Sequence, residues 1–404
     1  MRVIVIGAGP GGAVLALLLA RRGIDVTLLE RHRDFAREFR GEVLLPGWLE
    51  VLDKIGLAER LRRVPQVRIA AIEVYVGARR RLRLPIAPDA FGPYPPVWMS
   101  QPALLEALVA ESARHSNFRL ERGVTARELL SRDGRFVGVG AVGPDGEVDF
   151  EGDLVVGADG RNSVVRKRAG LEARADPIPM DIVWLRLPMA PFFATDPHAR
   201  AYLGGGHLLL VVPIYDGLMQ IGWIIPKGGF GDVRSRGMAA ALEEMARHVS
   251  PDLAVQLRDA EDEAVEPFLL STVSDRVREW WRPGLLVIGD AAHVMSPVGG
   301  QGLNIAIRDA AVAANHLVPV LAGEGSAAAI DAELARIEAE RLPEVAEIQR
   351  LQALPPPILL RDTWWTRALL EIIPLILGSG LLRPRTTPLL RRFAWGVTEV
   401  KVRV

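Results

Sequence analysis

Residues 3–30 read VIVIGAGPGGAVLALLLARRGIDVTLLE, and this run decides the fold. Val3 to Ile6 give an apolar strand. Gly7, Gly9 and Gly12, with Gly11 between them, space a G-x-G-x-x-G turn before a helix of small and aliphatic residues, and a second aliphatic strand ends at Glu30. Gly7 permits the tight turn, Gly9 lets backbone approach a pyrophosphate, and Gly12 lets helix and strand pack closely. The helix N-terminus presents free N–H groups and the positive end of its dipole to an anion. Glu30 is placed to accept hydrogen bonds from a ribose 2′-OH. Strand, turn, helix and acid at these spacings imply a site for an ADP moiety.

The 404 residues suffice for two packed lobes, with 49% hydrophobic content and a formal net charge of zero. Neutrality, and the lack of a basic run interleaved with aromatics, argue against a nucleic-acid partner. The chain has no cysteine, which excludes disulfides, thiolate metal sites and cysteine nucleophiles. The first apolar stretch carries the glycine turn and no cleavage-site pattern, so it does not read as a signal peptide. A cytoplasmic enzyme is the expectation, with no metal site.

The coarse pattern is α/β. EVLLPGWLEVLDKIGLAERL (42–61) reads as a helix ended by Gly56, and residues 67–86 as two strands joined near Gly77. Arg79, Arg80, Arg81 and Arg83 lie on that hairpin, either as a solvated face or as a docking surface for a nicotinamide phosphate or anionic substrate. A helix capped by Ser100, with Pro102 in its first turn, follows. Alternating strands then run to residue 160, with a hairpin around Asp145. Residues 176–278 read as strands with one helix around 236–249, and the α/β texture returns near 284. The expected organisation is a discontinuous nucleotide lobe (1–73, 100–175 and 279–355), an inserted mainly β lobe (74–99 and 176–278), and a C-terminal helical segment (356–404). No third domain is expected after it.

Two further motifs narrow the ligand. DLVVGADGRNSVVR (153–166) runs from a buried strand through Asp159-Gly160 into a helix. LLVIGDAAHVMSPVGGQGLNIAIRDA (285–310) runs from a strand to Asp290, then through Pro297 and a glycine-rich loop into a helix. An aspartate at the carboxyl end of a strand suits a polyol chain, and the glycines let backbone amides approach a flat ring.

With these three motifs in this order, the sequence resembles the FAD-dependent class A aromatic hydroxylases, of the p-hydroxybenzoate hydroxylase fold. The resemblance covers nearly the whole chain. It implies an α/β architecture: a Rossmann-like FAD-binding lobe, an inserted mainly β substrate lobe and a C-terminal helical segment. It also implies that Gly7 to Gly12, Glu30 and Arg31 hold the ADP half of noncovalent FAD, with Val124 near the adenine. Arg40 and Gln101 would reach the phosphate or ribityl region, and Asp159 would sit in a motif serving FAD and nicotinamide nucleotide. Asp290 would bind ribityl hydroxyls and Pro297 would lie near the reactive carbon. Gly302, Leu303 and Asn304 would present backbone to the pyrimidine edge.

The activity implied is hydroxylation of a phenolic or polycyclic aromatic molecule with O₂, through a flavin C4a-hydroperoxide. NADH or NADPH would be a transient co-substrate, since no second glycine fingerprint is present. No nucleophilic catalytic residue is implied. Trp98, Trp184, Tyr202, Val211 and Trp223 are the expected pocket walls, with Arg186 facing an acidic group. His293 reads as a residue that orders the loop. A halogenase would carry W-x-W-x-I-P where this chain has IGWIIP, with Ile221 at the first tryptophan. Reduction of prenyl chains and modification of lipids or quinones at a membrane are two further activities that such a flavin lobe can carry. Residues 363–384 motivate the membrane reading, although their uncharged run is too short to span a bilayer and more naturally packs on the lobe or on a second copy. A monomer or a homodimer fits.

Overall fold

The computed structural model describes residues 1–36, 42–260, 267–323, 325–379 and 383–403. Strand Arg2–Ile6 pairs in parallel with Asp25–Glu30 on one side and Leu154–Gly157 on the other. Phe118–Arg122, Leu285–Val287 and the antiparallel edge Trp281–Arg282 complete a six-stranded sheet. The central strands are buried on both faces, as expected where helices cover both sides of a parallel sheet. Helices Pro10–Arg21 and Gln301–Leu321 supply much of that cover. Gly7, Glu30, Asp159 and Asp290 all lie at or just beyond the carboxyl ends of parallel strands, where open α/β sheets bind ligands.

The second lobe is a seven-stranded sheet in the order Phe268–Leu270, Met180–Pro188, Leu218–Pro226, His207–Pro213, His198–Gly204, Ala71–Val76, Arg79–Pro85. The expected change of lobe between residues 73 and 74 falls inside strand Ala71–Val76, the whole of which pairs with this sheet. Where the sequence suggests one helix, three form: Phe230–Arg236, Met238–Ala246 and Pro251–Asp259. Gly237, at φ +84°, and the Ser250-Pro251 start divide the run. These helices cover the sheet's outer face.

The chain closes with helices Ala327–Gln352, Pro356–Leu359, Trp364–Gly378 and Arg383–Trp395. Trp364–Gly378 leaves Trp364, Ile372 and Leu375 at least half exposed. Among the described residues no helix is long and apolar enough to cross a membrane.

Candidate active site

The glycine turn is built to closure. A Cβ on Gly12 would stand 2.0 Å from the Gly7 carbonyl oxygen. One on Gly7, itself at φ +101°, would meet the Ala158 carbonyl oxygen at 2.4 Å. The first motif therefore packs directly on the second. Gly9 has open space where a Cβ would point, and it precedes the helix N-terminus. Gly11 lies 2.9 Å from the Ala306 carbonyl oxygen by the same measure, which brings helices Pro10–Arg21 and Gln301–Leu321 together.

Glu30 is buried, and its carboxylate accepts from the backbone N–H groups of Ala8 and His32, each at 3.0 Å. Val124, also buried, donates its N–H to the Glu30 carbonyl at 3.0 Å, so the two share one rim. Arg31 is exposed beside them and donates to His32. Gln101 opens helix Gln101–Ser112 behind the Ser100 cap. Arg40 lies outside the described residues. The Asp159 carboxylate turns inward: Ser163 Oγ and the N–H groups of Val164 (2.7 Å) and Val165 (3.2 Å) donate to it. Burial pushes its pKa up against those bonds. Its observed part is to order the turn leading into helix Val164–Arg168.

Asp290 is half-buried in the turn after strand Leu285–Val287. Beyond it, Pro297, Val298, Gly299 and Gly300 lead into helix Gln301–Leu321. Gly302 and Leu303 are partly exposed at that helix's start. Asn304 is buried: its Oδ1 accepts from Leu45 N–H at 2.9 Å, and its amide donates to the carbonyls of Val43 (3.1 Å) and Gly300 (2.8 Å). It thereby stitches strand Val43–Leu44 to the glycine loop.

A network of buried charges stands behind this loop. His293, wholly buried, meets Asp309 at 2.6 Å; Arg341 Nε donates to the same carboxylate at 2.8 Å and also binds Glu344. Glu344 accepts from Arg308 at 2.7 Å and from the N–H groups of Val397 and Thr398. Burial pushes the Asp309 carboxyl up, but His293 and Arg341 outweigh it and hold the group below its ordinary value.

The sheet's two faces correct the expected pocket. Tyr202, Val211 and Trp223 lie on the outer face, in one apolar cluster with Val233, Leu242, Met245 and Leu257 of the covering helices. They are core, because Trp223 stands opposite Val183 in the antiparallel register, one residue out of phase with Trp184. Trp184 lies on the inner face, in a cluster with Ile182, Ile224 and Val298 of the glycine loop. Its ring lies over Gly222, where a Cβ would stand 2.6 Å away. Trp98 packs on the same inner side with Val212 and Ile214. Arg186 is also on that side, and Glu42 binds it at 3.2 Å. Replacing Trp223 with phenylalanine is expected to lower stability by about 1–2 kcal/mol, read as a denaturant midpoint. Altered ligand affinity at unchanged stability would instead make Trp223 a pocket wall.

One group among the described residues has the composition of a metal site. His207, Glu244 and His248 bring one ligand atom each within 4.8 Å of one another, beside Trp223 on the outer side. It is separate from the glycine loop.

Residues 1–350 match a family described as FAD binding domain. The chain is 34% identical to the 6-methylpretetramide 4-monooxygenase of Streptomyces rimosus, over 99% of this chain and 94% of that protein. It is 30% identical to the kynurenine 3-monooxygenase of Stenotrophomonas maltophilia, over 89% and 79% of the two chains. The structure of p-nitrophenol 4-monooxygenase from Pseudomonas putida superposes with a TM-score of 0.82 at 20% identity, covering 98% of each chain, a likeness of fold. A glycine turn backed by the Asp159 motif, with an acid-ended second strand, defines a dinucleotide-binding flavoprotein, and the chain belongs to this FAD-binding family. It is an FAD-dependent monooxygenase of the p-hydroxybenzoate hydroxylase fold.

Proposed function

We propose that the protein hydroxylates a polycyclic phenol, of the kind named for its Streptomyces relative, with NAD(P)H and O₂ as co-substrates. The observation that carries this reading is the packing of Val298, in the glycine loop, against Trp184 on the inner sheet face. There an aromatic wall adjoins the loop that the resemblance assigns to the flavin ring.

The residues fit FAD. Gly7 and Gly12 close a cradle that any side chain would fill, and Gly9 leaves its mouth open. In this reading the Glu30 carboxylate accepts the adenosine ribose hydroxyls, Val124 lies against the adenine, and Arg31, with Arg40 and Gln101, serves the phosphate side. Asp290 accepts ribityl hydroxyls. The N–H groups at Gly302, Leu303 and Asn304, at a helix start, meet the pyrimidine edge. Bound FAD, once reduced, supplies the electrons that split O₂ and place one oxygen atom on the substrate. The chain's own contribution is orientation and dryness: Trp184 and Val298 exclude water, and Asn304 fixes the loop against strand Val43–Leu44. Supply of NAD(P)H fits a cytoplasmic setting.

The test is turnover under ¹⁸O₂ with a polycyclic phenol, reading product mass. One labelled oxygen per product, with faster NAD(P)H consumption, is the expected result. Hydride reaching a substrate double bond with no oxygen gained would make the protein a reductase.

A further inference from the structure

On the inner face of the central strands, Arg186 is the one cation among the described residues. Its neighbours across and along the sheet are Gln220, Val212, Trp184 and Gly222. Arg186 already has an acidic partner, although 29% of its side chain is exposed. Its guanidinium donates to Glu42 Oε1 at 3.2 Å and to the Tyr215 hydroxyl at 3.3 Å, while Tyr215 donates to the same Glu42 oxygen at 2.7 Å. Glu42 is 1% exposed. The cation is thus neutralised by the chain itself, and a substrate carboxylate here would be a second buried anion facing one positive charge.

Around this pair lie buried polar atoms without a hydrogen-bond partner. Glu42 Oε2 and Gln220 Oε1 can accept; Gln220 Nε2 and Trp184 Nε1 can donate. Gln220 is fully buried, and its side chain meets no donor or acceptor among the described residues. Each such atom costs about 1–3 kcal/mol when left unmet, so four together on one face mark a surface that a ligand completes. Gln220 stands directly opposite Arg186, while Trp184 lies two residues along the Arg186 strand and over Gly222. Gln220 and Trp184 therefore share the inner face with Arg186, which carries Glu42 with it. Burial pushes the Glu42 carboxyl up in pKa, against Tyr215 and Arg186. This suits an acceptor that takes a hydrogen bond from a neutral hydroxyl.

We propose that this wall selects an uncharged substrate carrying a hydroxyl beside a carbonyl or carboxamide: the hydroxyl donates to Glu42, and the neighbouring polar groups engage Gln220 and Trp184. The Glu42–Arg186 pair is the element that rejects aromatic acids. The proposal rests on the hydroxylase reading above, narrows its substrate class, and replaces the expectation that Arg186 holds an acidic group.

The test uses the FAD-loaded full chain and two probes, dihydroxyanthraquinone and its ring-carboxylated analogue. Binding is read by equilibrium dialysis and by perturbation of flavin absorbance. The wild type is expected to bind the neutral probe at least about tenfold more tightly. Glu42→Gln, which removes the carboxylate charge beside Arg186, should shrink that preference about tenfold or reverse it. Gln220→Leu should weaken the neutral probe alone. FAD content and melting temperature establish that each variant is folded; because the two substitutions lie on different elements, a fold defect in one leaves the other to decide. Equal or tighter binding of the carboxylate by the wild type overturns the proposal. So does failure of both probes to bind, or a preference unchanged in both variants, as expected if water alone satisfies the wall. A preference for acids with ¹⁸O still entering the product would sink this proposal and leave the hydroxylase reading intact. Loss of label incorporation would sink the hydroxylase reading itself.

Discussion

Glu344→Ala is expected to destabilise the holoprotein by about 3–5 kcal/mol, the usual consequence of breaking a buried ion pair from one side. Glu344 is fully buried and accepts from two arginines, Arg308 and Arg341, as well as from the N–H groups of Val397 and Thr398. Burial pushes its carboxyl up, but the charges of Arg341 and Arg308 prevail and lower the pKa from the ordinary 4.5 to about 2. A group depressed in the folded state contributes stability that is complete above its unfolded pKa and lost as pH falls through the folded one. Here that window runs from about 4.5 down to about 2, and the shift corresponds to roughly 3 kcal/mol. Denaturant melts of wild type and variant should therefore differ most at neutral pH and converge in acid. A constant gap at every pH would show that the carboxylate is not the stabilising species.

Gly7→Ala is expected to yield protein that retains FAD at least about 100-fold more weakly, read as flavin content after dialysis. Two effects combine. The residue's φ of +101° lies where an L side chain is strained. In addition, the new methyl would stand 2.4 Å from the Ala158 carbonyl oxygen, which is backbone and cannot swing away. Relief requires separating the glycine turn from the Asp159 motif, which opens the cradle. Gly23→Ala, at φ +77° with open space around it, is the control: it shares the strained φ without the collision and should keep its flavin. Equal flavin loss in both would assign the effect to backbone strain alone.

The parts of the site that sequence reveals are those whose chemistry is local. The turn from Gly7 to Gly12 and the acid ending the next strand are fixed by spacing, and the Ser100 cap by one hydroxyl, which accepts from Ala103 N–H. What sequence does not reveal is which face of a strand meets the glycine loop. Alternation groups Trp184 with Arg186 and separates them from Leu185. It cannot say that Trp223, on the neighbouring strand of the sheet, is out of phase with Trp184, because that depends on a register set by the whole sheet. Glu42 escapes for another reason, since an acid at the end of a polar loop carries no periodic signal.

The Arg341–Glu344 pair did leave a trace. Ile330, Leu334, Ile337, Val345 and Ile348 mark the buried stripe of helix Ala327–Gln352, and Arg341 and Glu344 fall on it. Charges on an apolar stripe call for partners, though nothing local says that those partners are Asp309 and the backbone beyond Trp395.

That same chain of contacts has a practical side. Arg308 holds the carbonyls of Trp395 and Thr398, Gln301 holds that of Phe393, and Asn315 grips the backbone at Lys401 and Arg403. The stretch from Phe393 to Arg403 is thus a latch on the helix that starts at the glycine loop. Proteolytic nicking within it acts on that latch, and a pale preparation would be its visible sign.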